Sequence, residues 1–365
     1  MIDGISILIV CYGRVKLLER LFCSLDEARK NCPLPSELVV LDNSGKEDAS
    51  AIEILCEKHN ARYYYEPSSV AIKRNKCVSY AKYNLLFYCD SDCVVTPNIL
   101  NEHLKKYTDE KIGAVCGPVI LEGEENSFIK AISKTSWCTA FVQPLEQEEL
   151  SWGVTANFSL LREAFDKSGG FNPDFPNKPG GEDVDIGFRI CDAGYVIKSA
   201  PDAVVYHSNE TWLNFKDVAT RLISYGRSNV LVAKSNPKRL IADVNWIAVW
   251  IMITALSLLC TCFVGCWALL MSPIMFLSHL LIGGVYSSVK GKIGFFKAIL
   301  IELLSVFEKL GTISGCIKYK TVKPLYRQVM YSKYQEHGTF PGNQIKYLIL
   351  LLSVSISFAV LLILV

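Results

Sequence analysis

Three observations predict an α/β fold here, a doubly wound parallel sheet followed by a C-terminal α-helical transmembrane region. Up to about residue 240, short apolar runs alternate with charged segments of helical period, the order that builds a sheet covered by helices. Polar residues that fit no core stand at the ends of those runs, where such sheets bind ligands. From Val244 to Val289 the chain is almost uncharged, and the apolar runs beyond Val244 explain much of the mean hydropathy of +0.25. With 38 Lys+Arg against 36 Asp+Glu, a net charge of +2, nothing points to nucleic-acid binding.

Residues 5–10 (ISILIV) suit a buried parallel strand. Cys11-Tyr12-Gly13-Arg14 turns the chain, and residues 15–28 carry Leu17, Leu18, Leu21, Phe22 and Leu25 at helical spacing. Beyond Pro33 and Pro35, residues 37–41 form a second strand ending at Asp42-Asn43-Ser44-Gly45. A helix near 49–58, a strand near 62–66, a helix near 70–82 and a strand at 85–89 repeat the order. No G-x-G-x-x-G follows the first strand, which argues against a nicotinamide or flavin site.

Three constellations carry chemistry. In LLFYCDSDCVV, Asp90 and Asp92 follow a buried-strand pattern. Two carboxylates there call for a bound cation, basic neighbours or an exposed strand end; as a hard oxygen pair they suit Mg²⁺ or Mn²⁺. In PGGEDVDIGFRI, two glycines precede Glu182 and Asp183, acids favoured in a helix's first turn. Asp185 pairs with Arg189 four residues on, and one of Glu182 and Asp183 is placed to act as a general base. In AVVYH, a short strand ends at His207, a third ligand if it reaches the two aspartates. The fourteen cysteines show no C-x-x-C spacing and read as packing residues.

Residues 244–289 are too long for one membrane span and suit a hairpin of two, turning near Gly265 or Ser272-Pro273. Residues 345–365 suit a third span. Between them, 290–344 is a cytosolic or interfacial segment in which Phe295, Ile299, Leu303 and Phe307 form an apolar face, either lying in the interface or packed on the catalytic domain. Lys234, Lys238, Arg239, Lys290, Lys292 and Lys297 flank the hairpin, so the positive-inside rule places the N-terminal domain, residues 1–235, in the cytosol. The expectation is an integral membrane protein, of the cell membrane if the source is prokaryotic.

SILIVCYGRVKLLERLFCSL, LVVLDNSGKEDA, SSVAIKRNKCVSYAKYNLLFYCDSDCVVTPNIL and GGEDVDIGFRICDAGY, in this order, resemble the inverting family-2 glycosyltransferases of the GT-A fold. The resemblance covers residues 4 to about 232. It implies a nucleotide-sugar-binding, Rossmann-like domain in which Tyr12, Arg14 and Asp42 hold base and ribose, with Arg74 and Asn75 beside the donor. Asp90, Asp92 and His207 would hold Mn²⁺ or Mg²⁺, Asp183 would be the base, and Trp152 and Asn157 would shape the acceptor and sugar pocket. Arg227 is a further residue for the diphosphate. YGRSNVLVAKSNP is similar to a stretch of the mycofactocin glycosyltransferases. Departures are Cys-Tyr-Gly-Arg where the family has Thr-Tyr-Asn-Arg, and Lys73 in place of a small residue; no Q-x-x-R-W follows Asp183, which separates the chain from processive synthases.

The resulting expectation is transfer of one sugar from a nucleotide-sugar, UDP-linked first, to the hydroxyl of a lipid-linked or membrane-delivered acceptor at the cytosolic face of the bilayer. The alternatives are a polyprenyl-phosphate glycosyltransferase and a non-catalytic membrane-anchored binding module.

Overall fold

The computed structural model describes residues 2–176, 180–331 and 341–364. Pro179 of the glycine-acid stretch, residues 332–340 of the 290–344 segment and Val365 of the last expected span lie outside them. The chain divides into two compact units, Met1–Glu124 with Ser136–Glu210, and Glu125–Thr135 with Thr211–Val365.

The first unit holds strands β1 (Ile5–Cys11), β2 (Ser36–Asp42), β3 (Ala61–Tyr65), β4 (Leu85–Asp90), β5 (Cys93–Val95), β6 (Ile112–Cys116), β7 (Val119–Glu122), β8 (Glu149–Leu150), β9 (Phe158–Leu161), β10 (Val196–Ser199) and β11 (Val205–Ser208). Its helices are α1 (Val15–Asn31), α2 (Lys46–Lys58), α3 (Val70–Tyr80) and α4 (Ile99–Leu104), then, after the short α5 (Ser127–Ile132) of the second unit, α6 (Ser136–Thr139), α7 (Arg162–Ser168) and α8 (Glu182–Asp192). Eight strands form one sheet in the order β3-β2-β1-β4-β9-β6-β10-β8. The βα alternation up to β4 stands where the apolar runs place it, and β1 to β4 are parallel.

Beyond β4 the sheet is mixed, a correction to the all-parallel expectation: β9 runs antiparallel to both β4 and β6. A four-residue strand such as β9 needs no helical crossover to enter between its neighbours, so nothing in its sequence marks its direction. β1 alternates faces: Ile5, Ile7, Ile9 and Cys11 pack with Leu18, Leu21, Phe22 and Leu25 of α1, whereas Leu8 packs on the opposite layer with α3 and α8 residues. Order reverses between β1 and β4, and a ligand crevice belongs at the carboxyl ends flanking such a switch. A second sheet, β5-β11-β7, stands just past β4.

A buried polar network joins the sheet to α4. Tyr107 Oη, Ser159 Oγ and His103 Nδ1 are linked at 2.9 and 2.8 Å, and His103 Nε2 meets Asn157 Oδ1 at 2.9 Å. Burial pushes the His103 imidazole down from its ordinary 6.5 to about 4. The unfolded chain therefore takes up a proton that the folded chain refuses, and stability falls as pH drops from 6.5 to about 4, by roughly 3 kcal/mol. His103→Gln keeps a donor and an acceptor without titrating; urea midpoints measured across this range should show a shallower acid loss than the wild type.

The second unit holds α9 (Phe215–Ser235), β12 (Leu240–Ala242), α10 (Trp246–Val264), α11 (Met271–Gly291), α12 (Phe295–Lys318), β13 (Arg327–Val329) and α13 (Pro341–Leu364). The helix at 215–235, expected to close the catalytic domain, thus counts with the C-terminal region. A Cβ on Gly226 would stand 2.0 Å from Glu308 O, and one on Gly311 2.3 Å from Ile223 O. These glycines let the α9 and α12 backbones touch, which accounts for the glycine of Tyr225-Gly226-Arg227-Ser228. α10 and α11 run antiparallel, with Trp246 stacked on His279 at 4.0 Å and Trp250 Nε1 donating to Ser272 O at 3.1 Å. Among the described residues one helical stretch, Trp246–Gly291, is long and apolar enough to cross a membrane, with hydropathy 2.4; Leu348–Ile363 is a shorter apolar helix.

Candidate active site

Three strand ends and the start of α8 build the site. After β1 the chain turns through Gly13 and Arg14, both left-handed at φ 60° and 56°. For Arg14 this conformation is uncommon, and it is fixed by Gly13 N–H donating to Ser44 Oγ at 2.6 Å and by the Arg14 guanidinium donating to Asp92. Tyr12 beside them is 69% exposed.

The D-x-D carboxylates sit past β4. Asp92 is nearly buried, and Asp90 is a third exposed. Burial raises the Asp90 carboxyl, Arg74 opposes that rise, and Asp92 adds to it. β11 runs antiparallel to β5 with His207 facing Cys93, and Ser208 N–H donates to Asp92 O at 3.0 Å. This pairing carries His207 Nε2 to 3.3 Å from Asp92 Oδ1 and 3.9 Å from Asp90 Oδ2. His207 Nδ1 lies 2.8 Å from Ser208 O. A carbonyl only accepts, so Nδ1 carries a proton and Nε2 is the ring atom turned toward the two carboxylates. Two carboxylate oxygens with one imidazole nitrogen are a donor set for a divalent cation.

α8 begins after Gly180 and Gly181, at φ 128° and 92°, a turn that residues with a Cβ rarely make. Glu182 and Asp183 occupy its first turn, and the Asp185–Arg189 pair forms as the spacing predicts, at 2.7 Å. Glu182 Oε1 accepts from Arg74 Nη1 at 2.7 Å, and Arg74 Nη2 reaches Asp90 Oδ1 at 3.4 Å. Burial acts to lower the Arg74 pKa, yet Glu182, Asp90 and Asp183 outweigh it and hold the guanidinium charged. One buried cation thereby ties the α8 acids to the D-x-D. Asp183, partly exposed, keeps its carboxylate clear of that bridge and accepts from its neighbour's Val184 N–H at 2.9 Å. Burial first and the charge of Glu182 second push Asp183 up to about 7, against the pull of Arg74 and the Val184 N–H.

Several expected ligand contacts are taken up within the protein instead. Asp42 is fully buried and accepts from Ser44 N at 3.0 Å, Ser44 Oγ and Tyr63 Oη at 3.1 Å; this carboxylate anchors the β1 and β2 ends and presents nothing to a ribose. Asn75 pairs by both amide atoms with the Phe171 backbone, at 2.7 and 2.8 Å, so it fixes the 171 loop. Asn157 is fully buried, its Nδ2 donating to Pro118 O and Ala203 O at 3.0 and 2.7 Å and its Oδ1 on His103, which removes it from a sugar pocket. The Arg74 guanidinium is engaged by Glu182 and Asp90, as a buried cation must be. Glu182 is held by Arg74 at 2.7 Å and is buried beside Asp183. Arg227 belongs to the second unit, where its Nε donates to Ser314 Oγ at 3.1 Å. Trp152 backs α8: a Cβ on Gly187 would lie 2.5 Å from its Cα.

Lys73 is the residue whose role the sequence left open. It is 2% exposed and its Nζ donates to Cys11 O at 2.8 Å and Asn43 Oδ1 at 2.7 Å, clamping the ends of β1 and β2. A lysine where the family carries a small residue was the available signal.

Residues 6–171 match the family model described as Glycosyl transferase family 2. Over that stretch the chain is similar to the family-2 glycosyltransferases. The chain is 23% identical over 242 residues to the chondroitin synthase of Escherichia coli, a match that takes 57% of this chain and 35% of that protein; the chain thus spans about a third of that relative. Its fold is similar to that of the mannosyltransferase PcManGT from Pyrobaculum calidifontis, solved in complex with GDP-Man and Mn²⁺, at a TM-score of 0.53 and 16% identity over 87% of this chain and 86% of that one.

Proposed function

We propose that this glycosyltransferase is a membrane-anchored, inverting enzyme that moves a single sugar from a nucleotide-sugar, UDP-linked first, to an acceptor hydroxyl at the cytosolic membrane face. The observation that carries the reading is the bridge one buried arginine, Arg74, makes between Asp90 and Glu182, the neighbour of Asp183, beside a His207 that meets Asp92.

Asp90, Asp92 and His207 would hold Mn²⁺ or Mg²⁺, and the His207 tautomer and the carboxylates fit such an ion. A divalent cation bound there neutralises charge that develops on a leaving diphosphate. The protein supplies the rest. Arg14 holds Asp92 from the side away from His207, and exposed Tyr12 offers an aromatic face to a base. Asp183, poised near neutrality, takes the proton of the attacking hydroxyl. A single carboxylate suffices for direct displacement, which inverts the anomeric centre. The similar mannosyltransferase binds GDP-Man, so GDP-sugars belong in the donor screen beside UDP-sugars.

Membrane anchoring rests on Trp246–Gly291 and on the exposure of large apolar side chains such as Met252, Leu259 and Phe263. In water these would form an apolar surface far larger than a soluble protein tolerates. The basic residues flanking that stretch support a cytosolic side for the catalytic unit. An anchor there favours a lipid-linked acceptor.

The test is to screen UDP- and GDP-sugars against lipid-linked acceptors and read the product's anomeric configuration by NMR. Inversion relative to the donor is the expected result; retention would remove Asp183 from the role of base in a single displacement.

A further inference from the structure

We infer that the glycosyltransferase carries a second, softer coordination set at this site, Cys93 Sγ with His207 Nε2 and Asp92 Oδ1, which captures Zn²⁺ in competition with the hard cation and arrests transfer. The inference rests on the reading of Asp90, Asp92 and His207 as a cation site.

Cys93 and His207 are direct partners across the β5–β11 ladder, so their side chains share a face. Ligand atoms of Asp92, Cys93 and His207 all lie within 4.8 Å of one another. His207 Nδ1 is occupied by Ser208 O, so the ring meets an ion through Nε2. The separation of that nitrogen from Asp92 Oδ1, 3.3 Å, is the edge of a tetrahedron whose metal bonds are about 2.0–2.1 Å long, the lengths zinc adopts with imidazole and carboxylate. The Arg14 guanidinium engages Asp92 at Oδ2 and leaves Oδ1 to the ion.

The two coordination sets select different ions. Mg²⁺ and Mn²⁺ prefer oxygen and take Asp90 and Asp92; a thiolate, an imidazole and a carboxylate with one open position is a zinc donor set. Zn²⁺ also outranks Mn²⁺ in affinity for a given site of this kind. On binding, the Cys93 S–H bond breaks, a Zn–S bond forms and the proton leaves to solvent, with no change of oxidation state. Cys93 is 1% exposed, so its thiol meets an ion from within the site. It packs beside Cys89, which supplies the control.

The experiment uses the full chain in detergent, stripped by chelation and titrated with Co²⁺, whose bond to a thiolate gives a near-ultraviolet charge-transfer band. The wild type should show the band and lose it as Zn²⁺ displaces Co²⁺. Cys93→Ser should lack the band, retain Mn²⁺ binding by electron paramagnetic resonance, and weaken Zn²⁺ at least about tenfold, as loss of a zinc ligand demands; Cys89→Ser should keep the band. X-ray absorption on Zn²⁺-loaded wild type, which needs no variant, should show one sulfur at about 2.3 Å. A wild type with no thiolate band and no sulfur scatterer, or a folded Cys93→Ser that binds Zn²⁺ as tightly as the wild type, overturns the inference. Failure of wild type to bind Mn²⁺ while the band persists would instead sink the parent reading of the hard-cation site and leave the zinc set standing.

Discussion

Asp183→Asn should lower kcat/KM by about 10²–10⁴-fold, the range that positioned general bases contribute. The amide keeps the size and one hydrogen-bonding oxygen of the carboxylate, so donor binding should survive. Asp183 is pushed up to about 7 by burial and by the charge of Glu182, so the wild-type rate should rise with pH through about 7 as the base ionises. The residual rate of Asp183→Asn should lack that limb. The sign of the stability effect separates chemistry from unfolding. The raised pKa means that the charged form is disfavoured by the fold, so Asp183→Asn should melt no lower than wild type above pH 7. Substantial transfer retained with donor binding intact would favour a lipid phosphate as nucleophile, which needs little base catalysis, and the polyprenyl-phosphate alternative with it.

Asp92→Asn should cost a comparable factor, about 10³-fold in kcat, because it removes one ligand oxygen at a charge centre worth several kcal/mol in the transition state. Chelation of the wild type should reproduce the loss and Mn²⁺ should restore it. His207→Ala, which leaves both carboxylates, should shift the Mn²⁺ concentration needed for half activity more than the maximal rate. Steady-state kinetics across Mn²⁺ concentrations distinguishes the two outcomes. Equal activity of Asp92→Asn and wild type at saturating Mn²⁺ would remove the D-x-D from catalysis.

The residues differ in how legible they were. β1 to β4 follow from apolar runs and a helical period, both local signals, and their ends carry Tyr12, Arg14, Asp90 and Asp92 as expected. The arrival of His207 at Asp92 is not local. It depends on β11 pairing with β5, two short strands separated in sequence by more than a hundred residues. Asp42, Asn75 and Asn157 show the opposite limit: a polar residue at a strand end or turn announces that it needs a partner, but not whether a backbone, a histidine or a ligand provides it. Here the protein does, through Ser44 and Tyr63, the Phe171 backbone, and His103 with two carbonyls. The basic neighbours considered for Asp90 and Asp92 are also present as Arg74 and Arg14. They meet Asp90 Oδ1 and Asp92 Oδ2, while Asp92 Oδ1 faces His207 Nε2 at 3.3 Å. Spacing alone left Glu182 and Asp183 open as bases and the family resemblance favoured Asp183; the structure adds that Glu182 is the one bonded to Arg74.

The central claim is a cation-dependent nucleotide-sugar site at the D-x-D, and it is testable without knowledge of the acceptor. Chelator-stripped full-length protein is melted with UDP- and GDP-sugars, with and without Mn²⁺, beside Asp92→Asn. A ligand at about 100 Kd adds about 2.7 kcal/mol to the folded state. The account predicts that one nucleotide-sugar class raises the wild-type melting temperature only when Mn²⁺ is present and leaves Asp92→Asn unmoved. An equal rise without Mn²⁺, or the same rise in Asp92→Asn, would contradict it.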